Sequence, residues 1–323
     1  MLYSEAMKAA ALLLLALPLA AADIRLGIIG TDTSHVPAFT RLLNDPADPA
    51  HIPGARVVAA WKGGSPDVES SRTRVDRFAA EIHSKYGVEI VPDIATLCRM
   101  VDGVLIESVD GRTHLAQARL VFQARKPAFI DKPLAATLAD ALEIARLSSQ
   151  TGVAWFSSSS LRWSEITATM KFDDITGADV WGPGPFEEHH PLDLAWYAIH
   201  PIEILFTLMG PGCEEVTRVS GATADEIACR WTDGRIGTVR ALRPYGPYGA
   251  VVYRKSGVVV QSPPNVKADY ENLVRKVVEF FETGKPPVPN SETLEIFRFM
   301  DAAQRSKQAG GAPVRLESAG GLP

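Results

Sequence analysis

Between Asp23 and about Phe156, short apolar runs alternate with longer amphipathic stretches, and this alternation limits the fold more than any other feature of the chain. Buried parallel strands appear as continuous apolar runs, and the crossovers between them are usually helices. We therefore predict strands at 24–29, 57–61, 89–91, 104–107, 127–130 and 153–156, with helices at 70–86, 115–124 and 138–151. This βαβ order is typical of a Rossmann-like, doubly wound parallel sheet.

The pattern changes after the four serines at 157–160. Strand-like runs at 226–231, 236–242 and 258–261 follow one another, and Asp233-Gly234 between two of them predicts a hairpin. Helices are expected at 270–282 and 291–308. For a chain of 323 residues we predict two domains of an α/β protein. The first, at 23–156, is a Rossmann-like dinucleotide-binding domain, and the second, at 157–323, is a substrate-binding α+β domain built on a mostly antiparallel sheet.

The N-terminus has the features of a signal peptide at 1–22. Lys8 precedes an apolar stretch at 9–22, and three alanines at 20–22 supply the small residues that signal peptidase accepts before Asp23. The alternative, a membrane anchor, needs about 20 apolar residues, whereas this stretch has about 14 and is interrupted by Pro18. We therefore expect cleavage before Asp23 and export to the periplasm or the exterior.

Charge and cysteine content limit the partners. The net charge is -5 and the basic residues are scattered, so neither nucleic acid nor a membrane surface is an expected partner, and a small molecule is. The three cysteines, Cys98, Cys213 and Cys229, are too few and too widely spaced for a zinc site. A bridge between Cys213 and Cys229 depends on geometry that the sequence does not give.

Three segments resemble a known family. The first runs from the strand at 101–106 (VDGVLI) through Thr113-His114 to 126–134 (KPAFIDKPL). The second is the segment around His200 that ends at 208–210 (LMG), and the third is 279–316, with GKPP at 284–287. Their order and spacing resemble the Gfo/Idh/MocA oxidoreductases, the family of glucose-fructose oxidoreductase and inositol dehydrogenase. Asp131 stands where the family's Glu-Lys-Pro motif has glutamate.

The resemblance implies an NAD(P)-dependent oxidoreductase that acts on a sugar, polyol or related carbinol. NAD or NADP would lie across the first domain and contact Gly30, Thr31, Asp32, Thr33, Ser34, Ser108 and Lys132. Lys132 and His200 would face the nicotinamide, with Tyr197 as a further proton donor. A histidine can take a hydroxyl proton, and a nearby ammonium can stabilise the alkoxide that forms. The alternative is a surface lysine and a core histidine. We also expect a homo-oligomer.

The glycine motif departs from the family pattern. The family's G-x-G-x-x-G aligns with Gly30-Thr31-Asp32-Thr33-Ser34-His35, in which only the first glycine remains. A carboxylate at Asp32 would repel a diphosphate, or it would simply cap the following helix. The second strand ends in Trp61-Lys62 and lacks the acid that contacts the adenosine ribose. Lys62 would either meet the extra phosphate of NADP or belong to a solvated loop.

The histidine segment departs as well. The family has a carboxylate four residues before the histidine, whereas this chain has Trp196 there, and the nearest preceding acid is Asp193. Pro201 excludes a regular helix through His200 unless the helix starts or kinks there. His35, His189 and His190, together with Asp32, have the chemistry of a metal site, but their spacing matches no metal motif, so we predict no metal.

These features leave three functions in competition. The first is the oxidoreductase. The second, which suits an exported protein, holds its cofactor tightly and recycles it within an elimination or glycoside cleavage. The third is a carbohydrate-binding or assembly protein that has kept the fold and lost the cofactor. The fold does not choose among them.

Overall fold

The computed structural model describes residues 22–264, 266 and 270–316. The predicted signal peptide lies outside these residues except for Ala22, and it stays a prediction. No helix in the described part of the chain is long and apolar enough to cross a membrane.

The first sheet consists of six parallel strands in the order β3-β2-β1-β4-β5-β6, which is the order of a doubly wound Rossmann sheet. The predicted fold class is therefore confirmed. The strands are β1 (Ile24–Ile29), β2 (Ala55–Trp61), β3 (Glu89–Ile90), β4 (Gly103–Ile106), β5 (Ala128–Ile130) and β6 (Trp155–Phe156). The helices are α1 (His35–Asn44), α2 (Glu69–Arg72), α3 (Val75–Tyr86), α4 (Ile94–Met100), α5 (His114–Gln123) and α6 (Leu138–Thr151).

Local signals explain the best-predicted elements of this domain. Strand β4 is buried at every position, as a central parallel strand must be. Helix α6 starts where the Thr137 hydroxyl accepts the amide hydrogen of Asp140, and it ends at Gly152, which has a φ of 66°. A hydroxyl at the N-cap and a left-handed glycine after the last turn are common helix limits, so the bounds 138–151 could be predicted from sequence.

The second sheet has seven strands in the order β12-β11-β7-β10-β9-β8-β13. All neighbours are antiparallel except β7 and β10, so the prediction of a mostly antiparallel sheet is confirmed. The elements are α7 (Glu165–Met170), β7 (Ile175–Pro183), α8 (Asp193–Trp196), α9 (Ile199–Met209), β8 (Cys213–Ser220), β9 (Ala224–Trp231), β10 (Ile236–Leu242), β11 (Gly249–Arg254), β12 (Val259–Gln261), α10 (Glu271–Thr283), α11 (Asn290–Gln308) and β13 (Val314–Arg315). The predicted hairpin joins β9 and β10, with Gly234 at a φ of 85°.

Helix α10 returns to the first domain. Its apolar residues Leu273, Val274 and Val277 are fully buried in one cluster with residues of β1 and α1. The predicted boundary after Phe156 falls at the end of β6, but a helix from the C-terminal half completes the core of the N-terminal half. The two halves therefore share one hydrophobic cluster on a face of the first sheet.

Two sequence expectations change. The single helix expected at 70–86 is two helices, α2 and α3, which are interrupted at residues 73–74. The Ser71 hydroxyl of α2 donates to Asp32 of the loop after β1. Cys213 and Cys229 form a disulfide between the ends of β8 and β9, and Cys98 is a buried free cysteine.

Candidate active site

A cavity of about 700 Å³ lies between the carboxyl ends of the parallel strands and the second domain. In doubly wound sheets this crevice is where ligands bind, because the loops that follow neighbouring strands separate there. Several elements meet around it: the loop after β1, residue 132 after β5, the region of α8 and α9, and the loop before β11. The central polar lining residues are Ser34, His35, Arg74, Lys132, Tyr197 and His200.

Lys132 follows the end of β5 and is half-buried at the cavity wall. Its Nζ lies 6.0 Å from the ring centroid of Tyr197, and no carboxylate in the described part of the chain is within ion-pair distance of it. Burial lowers the pKa of Lys132, although the neighbouring Asp131 carboxylate acts in the opposite direction. The ammonium is therefore directed at the cavity without a protein counter-ion.

His200 is the second residue of α9, and Pro201 is the third. A proline is tolerated in the first turn because its missing N–H would have no partner inside the helix, so the helix starts at this point and is not broken. His200 Nδ1 lies 2.6 Å from Ser159 Oγ. Burial, together with the positive charge of Lys132, places the pKa of His200 well below its usual value. The imidazole is therefore neutral at pH 7.

The serine stretch at 157–160 has a role that sequence reasoning missed. Ser159 is fully buried, and its backbone N–H donates to Glu203 Oε1 at 2.8 Å while its hydroxyl meets His200. Asp193, the nearest preceding acid, instead pairs with Arg218 at 2.8 Å. His200 is therefore positioned through Ser159 and Glu203 and not through an acid that precedes it.

Tyr197, whose direction relative to His200 the sequence did not fix, lies beside His200 in the structure. The two rings meet edge to face with centroids 5.2 Å apart, and Tyr197 Oη is 3.3 Å from Tyr245 Oη. Burial and the hydrogen bond with Tyr245 raise the pKa of Tyr197. The phenol therefore stays protonated, and it can donate a hydrogen bond but cannot serve as a base at neutral pH.

The cavity brings together only some of the residues predicted to bind a cofactor. Thr33, Ser34 and Lys132 line it. Gly30, Thr31, Asp32 and Ser108 do not line it, because the chain itself covers them. The Thr31 hydroxyl donates to the carbonyl of Val75 at 2.8 Å, and the Ser108 hydroxyl lies between Gln117 and the glycine loop.

Asp32 acts as a bridge inside the protein. Its carboxylate accepts the Ser71 hydroxyl at 2.6 Å and the Val109 N–H at 3.0 Å, and the residue has no exposed surface. The possibility that it caps α1 is wrong, since the N-cap is Ser34 and makes no side-chain cap bond. Burial raises the pKa of Asp32, partly offset by the bond from Ser71.

A dinucleotide bound across the glycine loop does not fit these residues. Gly30 has a φ of 87°, and a Cβ placed on it would lie 2.5 Å from the backbone nitrogen of Ser108, so the loop after β4 is pressed against it. Asp32 and Ser71 together fill the space where a second glycine would let a diphosphate approach. Lys62, at the ribose position, pairs with Asp76 at 2.8 Å on the surface.

The histidines considered for a metal site are dispersed. His189 Nδ1 lies 2.8 Å from Glu187 Oε1, and His190 is buried with its Nδ1 3.0 Å from the carbonyl of Leu192. His35 is in the cavity instead. Within the described ranges, no group of three or more histidine, cysteine or acidic side chains is placed to hold a metal ion.

His35 and Asp131 form a pair that the sequence analysis did not anticipate. His35 Nδ1 lies 2.6 Å from Asp131 Oδ2, and both side chains are almost fully buried at the floor of the cavity. The sequence signal that could have indicated this pair was that both positions depart from the family pattern, with His35 in place of the third motif glycine and Asp131 in place of the glutamate. Nothing in the sequence, however, showed that these two positions touch.

The chain combines a Rossmann domain, with Lys132 after its fifth strand, and a mixed sheet packed against the helix that carries His200. Residues 24–158 match the Gfo/Idh/MocA model, which describes an oxidoreductase family with an NAD-binding Rossmann fold. The first domain therefore matches the Gfo/Idh/MocA oxidoreductase family, and the predicted resemblance is confirmed over these residues.

Solved structures extend the likeness over both domains. The chain is similar to a myo-inositol dehydrogenase from Lactobacillus casei in complex with NAD(H) and myo-inositol, with a TM-score of 0.71, 18% identity and coverage of 94% of this chain and 99% of that one. A probable dehydrogenase from Thermotoga maritima gives a TM-score of 0.71 at 18% identity, covering 92% and 100%. The scyllo-inositol dehydrogenase of Lactobacillus casei gives 0.72 at 13%, covering 91% and 99%. At such identities the likeness shows the fold. No curated protein sequence matches the chain.

Replacing Asp32 with glycine should restore a family glycine and destabilise the fold. The Val109 N–H and the Ser71 hydroxyl would lose their acceptor inside the protein, and each unsatisfied buried group costs about 1–3 kcal/mol. We expect the free energy of unfolding, measured by urea denaturation, to fall by about 2–4 kcal/mol. Asp32→Asn, which keeps an oxygen for Val109, is the control and should lose less. A glycine variant as stable as the parent would show that the bridge contributes nothing.

Proposed function

We propose that this chain is an enzyme that transfers a proton at a hydroxyl- or carbonyl-bearing carbon of a sugar-like, negatively charged small molecule. The observation that carries the proposal is the set of ionisable groups around the cavity. Arg74, Lys132, His35 and His200 line it, and none of the described lining residues is acidic. A pocket with two cations and two imidazoles suits an anionic ligand and proton transfer.

The charge of the ligand follows from the two cations. In the described part of the chain, neither Arg74 nor Lys132 has a carboxylate within ion-pair distance, so their charges are available to a ligand. Guanidinium and ammonium groups make their strongest hydrogen bonds to carboxylates and phosphates. The tyrosines at 197, 245, 248 and 270 add hydroxyl groups and flat apolar faces, which suits a hydroxylated ring. The inositols bound in two dehydrogenase structures with this fold are molecules of that kind.

Lys132, His200 and Tyr197 would share the task of stabilising an oxygen that becomes negative. The lysine supplies a cation, and the tyrosine supplies a proton that it does not release at neutral pH. The neutral imidazole of His200 is a third polar contact. Fixed donors in a site that excludes water stabilise a developing oxyanion far more than water does.

NAD(P)-dependent oxidation of a carbinol is the second candidate, because the family match favours it. The residues around the glycine loop do not fit a dinucleotide in the family's manner, so no hydride step is assigned to this chain. Native mass spectrometry of the purified protein separates the two candidates, since a bound dinucleotide would favour the oxidoreductase. A carbohydrate-binding protein without activity, the third alternative, would bind a ligand and not turn it over.

The substrate class is tested with two probes that differ only in charge, D-gluconate and D-glucitol. We expect calorimetric titration to show gluconate binding at least about tenfold more tightly, because a charge-assisted hydrogen bond is worth about 1.5–3 kcal/mol. Arg74→Gln should remove most of this preference. Lys62→Gln is the matched control, since Lys62 is a cation of the same domain that pairs with Asp76 outside the cavity. Equal affinity for the two probes, or none for either, would show that the class is wrong.

A further inference from the structure

Two departures from the family pattern meet at one place in the cavity. His35 replaces the third motif glycine, and Asp131 replaces a glutamate, 96 residues further along the chain. Aspartate is one methylene shorter than glutamate. The shorter side chain leaves room for the imidazole ring of His35, which a glycine at that position would lack. The result is a contact of 2.6 Å between His35 Nδ1 and Asp131 Oδ2.

The His35 ring is held from both sides. It stacks on Phe39 with centroids 5.3 Å apart and an interplanar angle of 7°, and Tyr270 meets it edge to face at 4.7 Å. The side chain is 8% exposed, and the residue lines the cavity. Because Nδ1 faces Asp131, Nε2 points to the opposite side of the ring. No described residue makes a hydrogen bond to this nitrogen.

The pairing sets the tautomer of His35. The contact lies outside hydrogen-bond geometry, but an ionised carboxylate 2.6 Å away favours the proton on the nearer ring nitrogen, which leaves the lone pair on the other nitrogen. Burial opposes ionisation of Asp131, but His35 and Lys132 outweigh it, and the pKa of Asp131 is lowered. Glu107, next to this pair, is fully buried without a hydrogen-bond partner among the described residues. Burial and repulsion from Asp131 raise its pKa well above the usual value, so it is uncharged.

His200 has the opposite arrangement. Ser159 Oγ already accepts the N–H of Leu161 at 3.1 Å, and the acceptor that the described structure offers to its hydroxyl hydrogen is His200 Nδ1 at 2.6 Å. A hydroxyl that donates to Nδ1 leaves the imidazole proton on Nε2. The two histidines of the cavity are therefore complementary, one with a lone pair at Nε2 and the other with an N–H there.

We propose that His35, held by Asp131, is the catalytic base of this site and that His200 is a neutral hydrogen-bond donor to the substrate oxygen. Resting on the function proposed above, this assigns a step next to a carbonyl. The C–H bond breaks and its proton moves to His35 Nε2, while its electron pair forms a carbon–carbon double bond and the carbonyl electrons move to oxygen. Lys132 and His200 Nε2–H stabilise that oxygen, and Asp131 stabilises the imidazolium. Return of a proton to the same carbon restores the carbonyl and completes an exchange with solvent, with no oxidant.

The tautomers can be measured without a substrate. Long-range proton–nitrogen correlation spectra of ¹⁵N-labelled protein at neutral pH report which ring nitrogen of each histidine carries the proton, with His35→Gln and His200→Gln used for assignment. We expect the proton on Nδ1 of His35 and on Nε2 of His200. In Asp131→Asn the side-chain amide would donate to His35 Nδ1 and move the ring proton to Nε2. A wild-type His35 protonated on Nε2, or a tautomer that the Asn variant leaves unchanged, would overturn the proposal.

Catalysis is tested by the incorporation of solvent deuterium into 5-keto-D-gluconate, an acidic keto sugar, followed by NMR. His35→Gln and Asp131→Asn should each slow the exchange by about 10²- to 10⁴-fold, the usual range for a lost general base. His190→Gln, a buried histidine outside the cavity, is the matched control and should stay near the wild-type rate. Rates within a factor of two of wild type in both cavity variants would refute the assignment of His35 as base. If the wild type exchanges neither this probe nor the neutral ketose D-fructose, the proposed function fails, and the spectra still decide the tautomer of His35.

Discussion

Replacing Lys132 with methionine should lower the rate of deuterium exchange into 5-keto-D-gluconate by about 10²- to 10³-fold, the usual effect of removing one donor from an oxyanion site. Methionine keeps the length and apolar stem of the side chain and removes only the ammonium. That ammonium has no ion-pair partner in the described structure and lies 6.0 Å from the centroid of the Tyr197 ring, so the fold loses little. We expect the midpoint of thermal unfolding to change by no more than a few degrees.

The control for this variant is Lys126→Met, which changes the same residue type two residues before the start of β5. It lies outside the cavity and should leave the rate unchanged. His200→Ala extends the test. If His200 is only a core residue, its removal should lower the stability of the fold and leave the exchange rate unchanged. If Lys132→Met and His200→Ala both keep near-normal rates, the catalytic assignment fails and the binding-protein alternative gains support.

The fold could be predicted because its signals are local. Strand β1 at Ile24–Ile29 and strand β10 at Ile236–Leu242 have the predicted limits, since apolar runs bounded by turn residues mark them. A helix after the motif at 30–35 was expected, but the bounds of α1 were not predicted. Its third residue is Pro37, which a helix tolerates in its first turn, but a proline beside the unusual motif at 30–35 hides the start of a helix.

The candidate site was only half predictable, and the reason is distance along the chain. Lys132 and His200 were found through family motifs, and the cavity does bring them together. The bonds of Asp32 to Ser71 and Val109, and the pair of His35 with Asp131, depend on contacts between residues 39 to 96 positions apart. A single sequence shows the chemical type of each residue, but it does not show which distant residue contacts it in the fold.

The helix that carries His200 depends on a buried ion cluster. Glu203 Oε2 accepts from Arg162 Nε at 2.7 Å, and Arg162 Nη1 donates to Glu292 at 2.6 Å. Burial lowers the pKa of Arg162, but the two carboxylates more than offset this, so the guanidinium stays charged. Through its other oxygen, Glu203 holds the N–H of Ser159, the residue that bonds to His200.

Glu203→Ala should therefore reduce the free energy of unfolding by about 2–4 kcal/mol, because the buried Arg162 loses one of its two carboxylate partners and keeps only Glu292. The Ser159 N–H also loses its acceptor, so the variant should lose activity beyond what unfolding explains. Glu203→Gln keeps an oxygen that accepts the Ser159 N–H. It should therefore lose stability as Glu203→Ala does but keep a larger fraction of the wild-type exchange rate. Glu187→Ala, which breaks only the partly exposed contact with His189, is the control and should cost about 1 kcal/mol or less. Urea denaturation and the deuterium-exchange rate measure both effects. An alanine variant that matches Glu187→Ala in stability would show that Glu203 does not hold the histidine helix in place.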